Sequence, residues 1–276
     1  MNVAIVTDST ADLPSNLVAQ YGIQVVPAIL IIEGKSLEDG QGISRQEFYE
    51  RLPSMESPPT TAIPSVIAFQ NIYQRLIEQG FEAILSFHVA GPLSGMVDAA
   101  QIAAAAVSDC IRVIDSRQVS LGLGFQVLAA AEAVAQNLPL DRILHRAENV
   151  RQRIRLIAML DTLEYLRRSG RVSWARARIG SLLRIKPFLE VKDAEVLNLG
   201  LTRTRSKGIA HLMKLLRSLG PLERLAILHT NAEDDARQFL ADLDPQLSTP
   251  PLIVNVTTII GTHVGPAGLG FVAVVK

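Results

Sequence analysis

The side chains best placed to do chemistry in this sequence are hydroxyls in short polar turns. Ser9-Thr10, Ser94 and Ser116 each close an apolar, β-branched run. Turns at the carboxyl ends of strands are where open α/β sheets place their ligands. Ser94 lies between a strand-like and a helix-like stretch, where a helix N-cap and an anion site coincide. Thr61 sits in a Pro/Ser/Thr loop, Pro53 to Pro64, where its hydroxyl either caps the helix starting near Ser65 or faces a ligand. His263 stands in a tight turn after Gly261 and before Gly265-Pro266, and such glycines allow close approach of a ligand. These types support anion binding through hydrogen bonds, or a Ser94–His263 nucleophile–base pair for acyl transfer or hydrolysis.

Several other chemistries are poorly supported. Residues 92–96 read Pro-Leu-Ser-Gly-Met, not the Gly-x-Ser-x-Gly elbow, and no acidic third member is identifiable. There is no Gly-x-x-x-x-Gly-Lys-Ser/Thr loop, and Gly122-Leu123-Gly124 is too short to cradle a phosphate. Five scattered histidines and one cysteine, Cys110, argue against a metal site and against an internal disulfide. No cofactor is expected.

The 276 residues are 48% hydrophobic, enough for a large core with apolar surface left for a ligand tunnel. The formal net charge of zero hides an asymmetry. Residues 1–150 hold 8 Lys+Arg against 16 Asp+Glu, and the remaining 19 and 11 fall in 151–276. Much of the basic surplus lies between Arg151 and Lys214 and includes Arg171, Arg203 and Arg205, with Lys186 and Lys207 as weaker candidates. Such a rim suits a carboxylate, a phosphate or an acidic partner. Few aromatics stand among these arginines to stack bases, so nucleic acid is not expected. No apolar run approaches the ~18 residues of a membrane span. The start, MNVAIVTDS, lacks a basic leader, and the single cysteine fits a reducing compartment, so a cytoplasmic protein is expected.

The elements that must position these residues alternate. Strands are expected at Val3–Thr7, Gly22–Ile32, Glu82–Val89 and Ile111–Ile114. Helices are expected from Pro14, over Ser44–Leu52 with a Ser44/Glu47 capping box, over Ser65–Gln79 before Gly80, up to Ser108, and on to about residue 153. That order predicts a parallel sheet with helices on both faces. Beyond Arg155 the pattern changes. Strands are expected at Leu156–Leu160, Phe188–Val191, Val196–Leu199, Leu225–His229, Ile253–Ile260 and Gly270–Val275. Lys192 to Glu195 reads as a hairpin turn, and helices are expected at Leu163–Ser169, Ala175–Leu183 and Lys207–Leu219. This predicts two α/β domains, 1–150 and 151–276, the second with a partly antiparallel sheet.

Six stretches in order carry a more specific signal. They are V-T-D-S-T-A-D-L (Val6–Leu13), P-T-T-A-I-P-S (Pro59–Ser65), L-S-G-M (Leu93–Met96), L-E-Y-L-R-R-S-G-R-V-S (Leu163–Ser173), I-K-P (Ile185–Pro187) and G-T-H-V-G-P (Gly261–Pro266). Together they resemble the DegV family, bacterial fatty-acid-binding proteins that serve as lipid-carrying subunits of fatty acid kinase. The resemblance covers essentially the whole chain. It departs at Ala62-Ile63, where the family usually has Ser-Gln, and at Pro266-Ala267-Gly268, where it usually has Gly-Pro-Gly-Ala.

The resemblance implies two α/β domains with an acyl chain in a tunnel between them. It places the carboxylate of a long-chain fatty acid such as palmitate, stearate or oleate on Thr61, Ser94 and His263. It implies no catalysis by the chain itself. A separate kinase subunit would phosphorylate the carboxylate, the rim of Arg171, Arg203 and Arg205 would receive the acyl phosphate or dock the kinase, and an acyltransferase would consume the product. Two hydroxyls and an imidazolium would then supply the donors that a carboxylate leaving water requires.

Overall fold

A computed structural model describes residues 1–176, 185–243 and 247–276. The chain divides into two compact units, Met1–Ile29 with Ala62–Gln152, and Leu30–Thr61 with Arg153–Lys276. It therefore crosses between units three times, and the stretch 30–61 belongs with the C-terminal half.

The opening elements are β1 (Val3–Asp8), α1 (Ser15–Tyr21) and β2 (Gln24–Val26). The expected single run from Gly22 to Ile32 is in fact two strands in different sheets, since β3 (Ile29–Ile32) pairs elsewhere. The chain continues through β4 (Lys35–Glu38), α2 (Arg45–Arg51) and β5 (Thr60–Ala62), and β3, β4 and β5 form a three-stranded sheet. The predicted capping box opens α2, with Ser44 Oγ accepting from Glu47 N at 3.1 Å. The Pro53–Pro64 stretch, read as loop, holds β5. A three-residue strand is too short to show an alternation.

The first unit resumes with α3 (Val66–Glu78), β6 (Ala83–His88), α4 (Met96–Val107), β7 (Ile111–Asp115), α5 (Leu121–Ala135) and α6 (Leu140–Arg153). Its sheet runs β2-β1-β6-β7 with every pairing parallel. Every residue of β1 and β6 is buried, as a sheet covered on both faces requires. Helix α5 is apolar almost all round and correspondingly buried. Gly122 and Gly124 lie inside it. A Cβ on Gly124 would sit 2.6 Å from the Ala11 carbonyl oxygen, so this glycine serves close helix–loop packing.

The second unit adds β8 (Ile154–Met159), α7 (Glu164–Ser169), α8 (Ser173–Arg176), β9 (Lys186–Lys192), β10 (Glu195–Thr202), α9 (Arg205–Arg217), β11 (Leu222–His229), α10 (Glu233–Leu243), β12 (Leu252–Asn255), α11 (Thr258–Val264) and β13 (Leu269–Val275). Most of the helix expected over 175–183 lies outside the described residues. The sheet order is β10-β9-β8-β13-β11-β12, antiparallel except for the β11–β12 pair. The predicted mixed α/β class therefore holds, with one parallel and one largely antiparallel sheet. One face of the second sheet packs Ile157, Met159, Phe188, Ile227 and Phe271 against Leu212 and Leu216 of α9 and Phe239 of α10. Helix α10 was not anticipated. Its signals are Glu233, Asp234 and Asp235 in the first turn and apolar residues at 236, 239, 240 and 243.

The expected Ile253–Ile260 strand is corrected. Strand β12 stops at Asn255 and α11 begins at Thr258, with Thr257 Oγ1 accepting from Ile260 N at 3.4 Å. The β-branched run V-N-V-T-T-I-I hides that cap.

The β9–β10 hairpin closes through Asp193 and Ala194, both at positive φ, +47° and +69°. A two-residue turn of this kind strongly favours glycine, because Cβ crowds the carbonyl in the left-handed region. Ala194→Gly should stabilise the protein by about 1 kcal/mol, read as a higher urea midpoint at unchanged slope. A lower midpoint would contradict a strained turn.

Candidate functional site

Helix α11 carries His263 on its last turn, so the residue is helical rather than in the tight turn expected from its glycines. Those glycines admit tyrosines. A Cβ on Gly261 would lie 2.6 Å from Tyr49 Cε1, and one on Gly265, at φ +79°, would lie 2.6 Å from Tyr165 Cε2. Tyr49 is buried on α2 and its hydroxyl donates to the carbonyls of Val256 and Thr257 at 2.9 and 3.2 Å.

The segment 30–61 holds this helix at further points. Arg45 donates to the Asn255 carbonyl, and Thr258 Oγ1 donates to Asp39 Oδ1 at 2.9 Å. The fourth tie is Thr61 Oγ1 to His263 Nε2 at 3.0 Å. Two of the predicted site residues are thus hydrogen-bonded to each other within the second unit. Thr61 does not cap α3. That role falls to Ser65, whose Oγ accepts from Ala68 N at 3.3 Å.

Burial first, and then the nearby positive charge of Arg171, together push the His263 pKa down to about 4. The expected imidazolium is therefore corrected to a neutral ring at pH 7. The same cation that discourages protonation of His263 would attract an anion placed beside it.

The three arginines differ. Arg171 is exposed, and its guanidinium donates to the Ser169 carbonyl at 2.7 Å, which fixes its direction. Arg203 is exposed and makes no ion pair among the described residues. Arg205 is committed to Asp235, to the Ala267 carbonyl at 2.6 Å and to Asp161 at 3.8 Å. Lys186 is likewise held by Asp161. Arg205 and Lys186 knit loop ends of the second sheet, whereas Arg171 and Arg203 keep exposed charge.

Ser94 belongs to the first unit. The N-cap of α4 is Gly95, not Ser94, and Ser94 ends a short 3-10 turn over Gly91–Leu93. Its hydroxyl is half-buried and makes no hydrogen bond among the described residues. The other hydroxyls singled out in the sequence are spent locally. Ser9 Oγ accepts from Ala28 N, Thr10 donates to Asp8 at 2.5 Å, and Ser116 exchanges hydrogen bonds with the Gln118 backbone.

Sequence reasoning missed the buried acids of the V-T-D-S-T-A-D stretch. Asp12, at φ +55°, accepts from Ser120 Oγ at 2.6 Å just before α5. Asp8 is fully buried and bonded to His88. Buried carboxylates are rare enough that two in seven residues of an apolar start were a signal. Among the described residues no cluster of His, Cys, Asp or Glu could hold a metal ion, and no helix is long and apolar enough to cross a membrane.

Two outcomes test this geometry. Because the folded His263 pKa lies below its unfolded value, the unfolded chain binds more protons between pH 4 and 6.5. Stability contributed by the neutral ring is complete above pH 6.5 and is lost as pH falls through that window, by at most about 3 kcal/mol. An NMR titration of the His263 ring should give a midpoint near 4, and a midpoint above 6 would overturn the assignment. Separately, Gly261→Ala should destabilise by about 2 kcal/mol through collision with Tyr49, seen as a lower thermal midpoint. An unchanged midpoint would show that α11 and α2 are not in close contact.

A profile described as "Uncharacterised protein, DegV family" matches residues 2–276. A DegV domain-containing protein of Streptomyces coelicolor is 36% identical over 276 residues, covering 98% of each chain. Among solved structures, a DegV family protein from Thermus thermophilus, described for its fatty acid binding, superposes with a TM-score of 0.91 at 31% identity, covering 100% of both chains. DegV from Bacillus subtilis, described as a fatty acid binding protein, has a TM-score of 0.88 at 31% identity over 100% of both chains. With its whole length matched by the family profile and by relatives above 30% identity, this chain belongs to the DegV family.

Proposed function

We propose that this chain binds a long-chain fatty acid, holds its carboxylate with Thr61, His263 and Ser94, and presents it to a partner kinase. The observation that carries the reading is the Thr61–His263 hydrogen bond beside the charge of Arg171. A neutral imidazole with its proton on Nε2 donates to Thr61 Oγ1. The threonine's own proton is then released to point at a carboxylate oxygen. The unpartnered Ser94 hydroxyl supplies a second donor, and Arg171 the long-range attraction. The fatty acid binding described for the Thermus thermophilus and Bacillus subtilis relatives supports the ligand class.

Affinity comes mainly from the tail. At ~0.8 kcal/mol per buried CH₂, a palmitate-length chain in the tunnel implied by the family contributes on the order of 10 kcal/mol before binding costs. The head site then fixes orientation and selects acids. Arg171 and Arg203, still exposed, are the better candidates to receive an acyl phosphate or dock the kinase, and Arg205 is secondary because its donors are occupied. The resulting acyl phosphate would pass to an acyltransferase, in the cytoplasm.

The alternative, Ser94 as nucleophile with His263 as base, is disfavoured by the same geometry. A histidine whose pKa is about 4 is a weak base at neutral pH, and its Nε2 already faces Thr61.

Mass spectrometry of the protein purified from cells should show one non-covalent fatty acid per chain under native conditions and an unmodified mass after denaturation. Thr61→Val and Ser94→Ala should each weaken acid binding about tenfold, the loss of one hydrogen bond to a charged group. A covalent acyl group on Ser94 would support the enzyme reading instead. No lipid, and no binding of added palmitate or oleate, would refute the fatty-acid reading. With a kinase supplied, acyl phosphate formed equally fast without this protein would refute the carrier role.

A further inference from the structure

We infer that two carboxylates, Asp8 and Asp115, are positioning residues that hold the Ser94 hydroxyl in place. The inference rests on the reading of Ser94 as a carboxylate donor. It begins with the ends of three neighbouring strands. The registers pair Thr7 with Phe87 and His88 with Asp115, so Asp8, His88 and Asp115 form a row across β1, β6 and β7.

Past His88 the chain turns toward Ser94, and each backbone N–H of that turn is taken. Val89 N donates to Asp8 Oδ2 at 3.1 Å, and Gly91 N donates to Asp115 Oδ2 at 3.2 Å. Ala90 N reaches the Gln118 carbonyl, Leu93 N the Ala90 carbonyl, and Ser94 N the Gly91 carbonyl. Pro92 has no N–H to satisfy. The backbone is thus pinned from both flanking strands, while the Ser94 hydroxyl is left over.

The Asp8 tether is itself fixed from below. Its Oδ1 accepts from Thr10 N and Thr10 Oγ1, and its Oδ2 accepts from His88 Nδ1 at 3.0 Å. Because Asp8 Oδ2 accepts, His88 Nδ1 carries the proton and Nε2 accepts from Ser86 Oγ at 2.7 Å. Tyr73 completes the chain by donating to Ser86 Oγ at 2.8 Å, and burial raises its pKa to about 12, so it stays a donor. Each donor in the series Tyr73–Ser86–His88 points toward Asp8. The series is wholly buried from solvent, so its product is a fixed carboxylate rather than a reactive group. Asp115 is half-buried and is held by Arg117 N at 2.7 Å. A Cβ on Gly91 would stand 3.2 Å from Asp115 Oδ2, which is why the tethered residue is small.

The test compares a long-chain fatty acid with the alcohol of the same chain length, which buries the same tail but offers no carboxylate. Binding is measured on the full chain by calorimetry. Ser94→Ala should weaken the acid about tenfold and leave the alcohol nearly unchanged. Asp8→Asn and Asp115→Asn should each reproduce that acid-selective loss. Asn at position 8 would turn an NH₂ toward the donors that Asp8 now accepts. Combined with Ser94→Ala, neither should weaken the acid further, because both act through Ser94. If Asp8→Asn fails to fold, Asp115→Asn, at the half-buried strand end, carries the comparison. Losses that add to that of Ser94→Ala, or that fall equally on acid and alcohol, would overturn the positioning role. A wild-type chain that binds neither acid nor alcohol would instead refute the fatty-acid reading on which it rests.

Discussion

The hydrogen bond between Thr61 and His263 joins residues 202 positions apart, and much of the second unit is arranged to hold its two ends. One end is a three-residue strand, the other the last turn of a seven-residue helix. Neither element is stable alone, since isolated helices need ~12–15 residues even with favourable sequences. Tertiary ties therefore set both positions. Arg45, Tyr49 and Asp39 fasten one stretch to the other, and two glycines bring tyrosine rings against the helix backbone. A neutral histidine follows from that packing, because an enclosed ring under the influence of a guanidinium does not keep a second proton.

The two units fix the Thr61 and Ser94 side chains by different means. In the second, a side chain is oriented by another side chain. In the first, a backbone turn is saturated by carboxylates at strand ends and the serine is what remains. There, every backbone N–H of the turn finds an acceptor, which avoids ~1–3 kcal/mol for each buried donor left unpaired. Asp8 illustrates the cost of the second method. A carboxylate removed from water needs several donors at once, and Thr10, His88 and Val89 together provide them.

The fold was legible where local and tertiary preferences agree. Strands β1, β6 and β7 are continuous apolar runs ended by polar turns, and α2 begins with the Ser44 cap that its Glu47 spacing announces. The misreadings fall where one sequence signal serves another purpose. The run from Val254 to Ile260 is β-branched and reads as one strand, although Thr257 ends it with a cap. Gly261 and Gly265 read as room for a ligand, although the room is filled by Tyr49 and Tyr165. Helix α10 was hidden because its apolar stripe follows a polar, acidic start. The positions of Thr61, Ser94 and His263 came from the ordered motifs, not from periodicity. Their ionisation and partners depend on residues distant in sequence and were not readable from those motifs.

The division of the chain has a consequence for the order of assembly. Residues 30–61 are made well before their partners Asn255 to His263, which lie 202 to 219 positions further along for the bonds from Thr61, Arg45, Tyr49 and Asp39. Until then the Tyr49 hydroxyl lacks the Val256 and Thr257 carbonyls it donates to, while the first unit, whose residues flank the segment in sequence, has its own partners sooner. Closing so long a loop slows folding more than it reduces final stability. A growing chain of this design therefore carries an unfinished strand-and-helix segment, with the buried side chains Leu30, Ile32, Phe48 and Tyr49, while about two hundred further residues are added, the period when exposed segments of that kind are most prone to aggregate or to need a chaperone.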